Sequence, residues 1–542
     1  MPSPRPAVRS SGREAGVVMS SIEREVKLHV DPAFVLPDLV AGSAVPAVEA
    51  RPDLVLVATY LDTPDCRLLR RGITLRHRRD LSGAAEHGWT LKLPAGTHRV
   101  RLDRTEVTWP GDASVPPPAA CSIVQGLVRR APLVVVAVLR SHRRRLALRG
   151  AGGELAGEVD DDLVTVLRSR RPPARTPVTT TGWLRFREVE VEVAEDHERV
   201  LGEVVARLRA AGAVPASPPV PKLARALGLD AGPRVEPAPG PRASLGQVIE
   251  AAVASGVGRL LEQDLMIRAS RHVDGNARDE AVHQARVACR RLRSDLLTYR
   301  PALDRQWVRA VRTELEWAGD ALGAVRDADV LVYLLDDLLA AEPREGPFAA
   351  VMAEAARRRD EALLVLDDLL GSERYLDLLD RMEAATAALP FAGAPPAVAP
   401  ESPAAEALPR LLEAPWRRLR KTVQAAGKAP DDDALHQVRI RAKQLRYAAE
   451  AASSVLGDDA RNLAVAAAGL QSVLGDLHDA VVAEEWLRTA ALAGPPSRAY
   501  AAGQLAVLAR QRQGVARASW RRAWRLVAKR AKAARRWLAA KE

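Results

Sequence analysis

The 542-residue chain is poor in aromatic side chains, at 4% of the total, and it holds only three cysteines, Cys66, Cys121 and Cys289. Few aromatics and no recognisable base-reading module argue against specific binding of nucleic acid, which stacks exposed bases on Phe, Tyr and Trp. The wide cysteine spacing, with no Cys-x-x-Cys pair, argues against a zinc site or a disulfide framework and suits a reducing compartment. Long apolar runs are missing too. The longest, Leu133 to Leu139, has strand length, ends in a basic segment, and falls far short of the roughly 18 residues of a membrane span. Residues 1–20 are rich in Pro, Ser and Arg without the apolar centre of a secretory signal, so a disordered N-terminus and a cytoplasmic protein are expected.

What the chain has in excess is positive charge, a formal +12. That points to a polyanionic partner, whether nucleic acid, anionic lipid or a phosphate polymer, and does not choose among them. The length exceeds one ordinary core, so two or three domains are expected. The first half reads as β structure, in short runs between Gly/Pro/Asp clusters: Leu54–Leu61, Ile73–Arg79, Trp89–Leu93, Arg104–Trp109, Val134–Ser141, Arg143–Leu148, Leu155–Val159, Leu163–Arg168 and Phe186–Val193. A helix follows at His197 to Ala211. The Pro/Gly-rich stretch 229–243 reads as a linker, and from 244 to 535 the composition turns to Ala, Leu, Arg, Asp and Glu with helical periodicity. A Pro/Ala-rich break at 390–409 divides that half in two.

The two parts of the helical half repeat each other. His283-Gln284-Ala285-Arg286 through Arg290 to Arg293 is echoed by His436-Gln437-Val438-Arg439 through Lys443 to Arg446, and Leu322-Gly323 through Arg326-Asp327 by Leu474-Gly475 through His478-Asp479. Two unlike motifs keep almost the same offset, which indicates a duplicated unit long enough for about four helices each. At about 100° per residue, His283, Arg286, Arg290 and Arg293 share one stripe, as do His436, Arg439, Lys443 and Arg446. Such stripes could line a path for a polyanion, or be solvated faces and partners of acids. In the C-terminal helix Trp520, Trp524 and Trp537 are expected to pack onto the bundle.

In the β half the charges alternate. Glu23, Glu25 and Lys27 lie on one face of a strand, because successive side chains point to opposite faces. The same i, i+2 pattern holds for Arg76 and Arg78, Arg143 and Arg145, Glu158 and Asp160, and Glu188, Glu190 and Glu192, with Lys92 alone in its strand. If these faces point inward they line a closed barrel, where acids would hold a hard divalent metal and bases would grip an oxygen-rich anion. If they point outward the barrel is ordinary, with an apolar interior and a solvated surface.

Glu23-Arg24-Glu25-Val26-Lys27 resembles the ExExK signature of the CYTH domain, the triphosphate tunnel metalloenzymes. Tyr60-Leu61-Asp62-Thr63, Gly72 to Arg78, Trp89 to Pro94 and Glu188 to Glu192 follow in that family's order, over 21–228. The resemblance implies an eight-stranded antiparallel tunnel that binds triphosphate with Mg²⁺ or Mn²⁺. It further implies Glu23, Glu25, Asp160, Glu190 and Glu192 as metal-facing acids, and Lys27, Arg76, Arg78, Lys92, Arg143, Arg145 and Lys222 as phosphate contacts. Glu23, Glu25 and Lys27 are the residues expected to be catalytic. The helical half resembles the CHAD domain, a duplicated α-helical module associated with inorganic polyphosphate, with the two basic stripes as its expected contacts. The expected whole is multidomain: an N-terminal β tunnel followed by an all-α domain of two four-helix bundles. Its expected function is metal-dependent hydrolysis of inorganic triphosphate or a similar compound, with polyphosphate bound by the helical half. The alternatives are a polyphosphate-binding or granule-associated protein without turnover, a thiamine triphosphatase, or an adenylate cyclase.

Overall fold

The computed structural model describes residues 19–40, 45–83, 87–97, 102–170, 184–193, 197–216, 220–229, 237–272, 275–339, 346–393 and 398–534; the side chains of 19–24, 95–97, 102–103 and 275–276 are outside that description. Of the segment 1–20 expected to be disordered, residues 1–18 lie outside the described residues while Met19 and Ser20 begin a β-strand; part of the linker (230–236), Trp537 and the side chain of Glu23 also lie outside the described residues. The chain forms two compact units, Met1–Val235 with Arg268–Asp274, and Glu236–Ile267 with Gly275–Glu542.

The first unit contains β1 (Met19–Val30), β2 (Ala47–Asp62), β3 (Thr74–Asp80), β4 (Gly88–Thr97), β5 (Leu102–Trp109), α1 (Pro118–Val128), β6 (Val134–Arg149), β7 (Leu155–Ser169), β8 (Arg185–Val193), α2 (Glu198–Ala210), β9 (Val214–Pro215) and α3 (Lys222–Leu227). Every strand pairing is antiparallel, in the order β5-β4-β3-β2-β6-β7-β8-β1, and β1 pairs back to β5 to close the barrel. Among the described residues there are nine strands, where eight are expected from the resemblance. The ninth, β9, is two residues long and pairs beside β1 at Leu28 and His29, so eight strands still form the wall.

Two pairs of expected strands are single long strands. Val134–Ser141 and Arg143–Leu148 both belong to β6, and Leu155–Val159 and Leu163–Arg168 both belong to β7. The change from an apolar to a charged run looks like a boundary in sequence. In the structure it marks where the strand passes from packing under α3 to lining the barrel.

The direction of the alternation is the inverse of an ordinary barrel. Val26 and Leu28 of β1, Leu148 of β6, Val159 of β7 and Val189, Val191 and Val193 of β8 point outward, beneath Val200, Leu201, Val204 and Leu208 of α2. Elsewhere Val136, Leu139, Val164 and Val166 pack under Leu223, Ala224, Ala226 and Leu227 of α3. Each such Val or Leu side chain contributes about 1.5–3 kcal/mol when buried, and helices outside the wall supply the cover. The charged faces are left to point inward.

The second unit holds α4 (Leu245–Ala269), α5 (Gly275–Thr298), α6 (Arg305–Leu338), α7 (Pro347–Gly371), α8 (Glu373–Ala387), α9 (Ala404–Ala425), α10 (Asp432–Leu456), α11 (Asp458–Leu492) and α12 (Pro496–Ala534). The duplicated motifs fall on α5 and α10, and on α6 and α11. That makes α4–α7 and α9–α12 the two four-helix repeats, with α8 between them. Equivalent helices meet: α5 with α10, α6 with α11, and α7 with α12. The break at 390–409 is shorter than expected, because α9 begins at Ala404 and carries Pro409 and Pro415 inside it. Trp520 is buried and Trp524 stacks on Trp416, with ring centroids 5.6 Å apart.

Candidate functional site

Strand register assembles the tunnel wall in rows. Between β1 and β8, Glu25 faces Glu192, Lys27 faces Glu190 and His29 faces Glu188. Across β8 and β7, Glu192 faces Glu158, Glu190 faces Asp160 and Glu188 faces Asp162; across β7 and β6, Asp160 faces Arg145 and Asp162 faces Arg143. On the opposite wall Thr74 faces Lys92, which faces Glu106. The rows enclose a cavity of about 260 Å³. Of the expected acids, Glu25, Asp160, Glu190 and Glu192 line it; of the expected bases, Lys27, Arg76, Arg78, Lys92, Arg143, Arg145 and Lys222 do.

Several residues of the site are not among the expected metal or phosphate contacts. Arg104 and Glu106 of β5 line the cavity with Glu158, and Lys92 pairs with Glu106 at 3.1 Å. Arg104 and Glu106 carry the same i, i+2 alternation as the other strands, which is the signal that could have found them. Asp162 and Glu188 are wholly buried and hold cations in place: Arg143 lies 2.7 Å from Asp162, and Arg225 lies 2.6 Å from Glu188. Lys222 is the first residue of α3. Its ammonium meets Asp162 at 2.8 Å, Glu190 at 2.8 Å and Glu188 at 3.1 Å. Asp62, in the Tyr-Leu-Asp-Thr motif, is buried and accepts the backbone N–H groups of Thr63, Leu68 and Leu69, which fixes the turn leading into β3.

Charge is unevenly satisfied around the cavity. Burial alone would raise the Glu190 carboxyl, yet Lys222, Lys27 and Arg143 hold it well below the usual range. Arg78 is pushed down to about 10, first by its neighbour Arg76, then by burial and by Arg143. Glu192 is open to the cavity and is pushed up to about 7 by desolvation and by Glu25, Glu106 and Glu190 nearby. Asp160 is pushed up to about 6, chiefly by burial. One wall thus carries cations crowding each other and another carries acids doing the same.

The acid wall offers hard oxygen donors of the kind Mg²⁺ and Mn²⁺ take. Glu25 Oε1 is buried with no hydrogen-bond partner, and the raised Glu192 carboxyl is a second donor short of positive charge. Both observations fit a divalent ion. Among the described residues no three acid, His or Cys side chains are already grouped at metal-binding spacing, and Glu190 is drawn toward Lys27 and Lys222.

In the second unit a cationic centre forms where α5 and α10 meet. Arg290 donates from Nε to the hydroxyl of Tyr447 at 2.9 Å, and Arg291 pairs with Glu450 at 3.1 Å. Arg286 pairs with Asp327 of α6 at 2.8 Å. The stripes divide. Arg286, Arg290, Arg439 and Lys443 act on one another electrostatically, whereas Arg293 is drawn to Glu316, and Arg446 to Glu450 at 2.7 Å. His436 and His478 lie ring to ring, centroids 4.5 Å apart, while His283 sits beside Arg326. The repeated glycines have a place here: a Cβ on Gly323 would touch the Arg286 guanidinium at 3.4 Å, and one on Gly475 would reach that of Arg439 at 3.8 Å. Among the described residues no helix is long and apolar enough to cross a membrane.

The sequence profile of the CYTH domain matches residues 21–212, and that of the CHAD domain matches residues 251–488. The uncharacterized protein Rv2226 of Mycobacterium tuberculosis is 34% identical over 488 residues, 87% of this chain and 89% of that one. Among solved structures, PptA from Streptomyces chartreusis is similar over 52% of this chain and all of its own, at 24% identity and a TM-score of 0.43. The CHAD domain from the plant Ricinus communis is similar over 56% of this chain and 95% of its own, at 24% identity and a TM-score of 0.40. With both domain profiles matched in order and a relative alike along nearly its whole length, the chain belongs to the family that joins a CYTH domain, the triphosphate tunnel metalloenzyme fold, to a CHAD domain.

Proposed function

We propose that the tunnel binds inorganic triphosphate, or a similar triphosphate compound, with Mg²⁺ or Mn²⁺ and hydrolyses it, and that the helical half binds inorganic polyphosphate. The observation that carries the first reading is the divided lining of one cavity within the closed strand wall, cations crowded around Arg76 and Arg78 and acids crowded around Glu192. A chain of phosphates between Arg76, Arg78, Lys92 and Arg143 relieves the first crowding, and guanidinium groups bind such oxygens in pairs. Glu25, Glu190 and Glu192, with Glu23 beside them in sequence, would hold the divalent ion, which supplies charge neutralisation at phosphorus when bound. Lys27 holds its proton at Nζ, since Glu190 and Glu25 outweigh burial, and it is positioned to donate to a phosphate oxygen. The second reading rests on the convergence of Arg286, Arg290, Arg439 and Lys443 from equivalent helices.

The test is phosphate release from inorganic triphosphate by the full chain with Mg²⁺ or Mn²⁺, with thiamine triphosphate and ATP run beside it. We expect release that Glu25→Gln lowers by about a hundredfold or more, the size of loss that follows removal of one preorganised electrostatic contact to a transition state. Tight triphosphate binding with no release under either metal would replace the hydrolase by a binding protein. Polyphosphate binding should weaken steeply as salt rises and fall on Arg286→Ala with Arg439→Ala; unchanged affinity in that double variant would make the stripes structural.

A further inference from the structure

The cationic centre of the helical unit contains an amine unlike the other basic groups around it. Lys443 is half-buried on α10 and, among the described residues, makes no hydrogen bond or ion pair. Its counterpart in the first repeat, Arg290, is anchored on Tyr447 at 2.9 Å. The groups that act on Lys443 are Arg439 and His436 on its own helix, Arg286 and Arg290 on α5, and Asp479 and His478 on α11. Asp479 and, through its pair with Arg286, Asp327 bring negative charge, which three arginines outnumber. Arg439 Nε is also buried without a partner, one turn before Lys443. An unanchored amine thus sits at the edge of an anion-seeking cluster.

We propose that Lys443 is a covalent modification site: the arginines capture the phosphate end of an acyl phosphate, and the Lys443 amine takes its acyl group. The neutral amine attacks the carbonyl carbon, the bond from that carbon to the phosphate oxygen breaks, and the amine proton leaves with the phosphate. The products are an amide on Lys443 and inorganic hydrogen phosphate, so neither an oxidant nor a further reactant is needed. Desolvation, then Arg439, Arg290 and Arg286, push the Lys443 ammonium down to about 7. A large share of it is therefore free amine at neutral pH, where an ordinary lysine is almost wholly protonated. Amines made nucleophilic by neighbouring cations are a known route to covalent chemistry. The acylated side chain is uncharged, so modification removes one of the four central cations, and an anion held there shields the amine. The proposal goes beyond the reading of the helical half as a polyphosphate binder and does not require polyphosphate to be the natural occupant.

The full chain is incubated with acetyl phosphate, and separately with a neutral acetylating ester, and acetylation of each lysine is followed by peptide mass spectrometry. Lys443 should react at least tenfold faster than exposed Lys421 with both reagents at pH 7.5. Its rate should level off just above neutral pH instead of climbing to pH 10. Inorganic triphosphate should slow Lys443 and leave Lys421 unchanged, and Arg286→Ala with Arg439→Ala should cut the acetyl phosphate rate at Lys443 more than the neutral-ester rate. Equal rates at Lys443 and Lys421 with both reagents would overturn the proposal. So would a fast Lys443 that neither triphosphate nor the double variant affects, because capture of the phosphate end would then be absent. Neither result bears on triphosphate hydrolysis in the tunnel, which is read by phosphate release.

Discussion

Replacing Lys222 by methionine removes an ammonium that three carboxylates surround at 2.8, 2.8 and 3.1 Å. Lys222 is 8% exposed, and Asp162 and Glu188 beside it are 0% exposed, so water cannot take over its part. Breaking a buried ion pair from one side costs about 3–5 kcal/mol. Here the low end applies, because each acid keeps another cation: Arg143 at 2.7 Å from Asp162 and 3.0 Å from Glu190, and Arg225 at 2.6 Å from Glu188. About 3 kcal/mol in a unit of this size lowers Tm by roughly 6–12 °C. The pH dependence follows from the two kinds of group. Burial would lower the Lys222 ammonium, but Asp162, Glu190 and Glu188 hold it well above 10.5, so its contribution is complete below that pH and is lost as pH rises through the higher folded value. Burial would raise Glu190 and Asp162, but the cations around them hold both below 4.5 and 3.8, so theirs is present above those values and is lost as pH falls through the depressed ones. The gap between parent and variant should be full at pH 7 and narrow toward pH 3. Calorimetry of the full chain, with the helical unit's transition as internal reference, measures it. A variant as stable as the parent at pH 7, or a gap unchanged at pH 3, would refute the reasoning.

Because desolvation and its acidic neighbours hold Glu192 up at about 7, cation binding there should expel a proton. Apparent Mn²⁺ affinity should therefore rise with pH below about 7 and flatten above it, while Glu192→Gln should bind more weakly with little pH dependence; titration calorimetry in buffers of different ionisation enthalpy decides. Asp304 caps α6 by accepting the Trp307 N–H at 2.7 Å, so Asp304→Ala should cost the helical unit about 1 kcal/mol and leave the tunnel's transition in place. A shift in the tunnel transition alone would contradict that assignment.

Much of the site was legible because a strand's period is fixed. Glu25, Lys27, Glu190 and Glu192 had to share faces of their strands, whatever the fold. The family motifs supplied the order of strands, and the two offsets in the helical half supplied its duplication. Arg104 and Glu106 were within reach of the same alternation and were passed over, since the strand 104–109 has only one such pair beside Thr108. Continuous β6 and β7 were hidden because a single strand changes its surroundings midway.

What the sequence by itself determined is periodicity: which side chains share a face, and that two helical segments are copies. Only the tertiary structure decided which way those faces point. Charges go inward here because α2 and α3 cover the outer wall and bury Leu28, Val189, Val191 and their neighbours. It also decided which cations are spent and which are left over. Arg293 and Arg446 look like members of the basic stripes but meet Glu316 and Glu450, while Lys443 finds no such partner among the described residues. Ion pairing depends on what lies within a few ångströms across helices, and spacing along one helix carries no record of that.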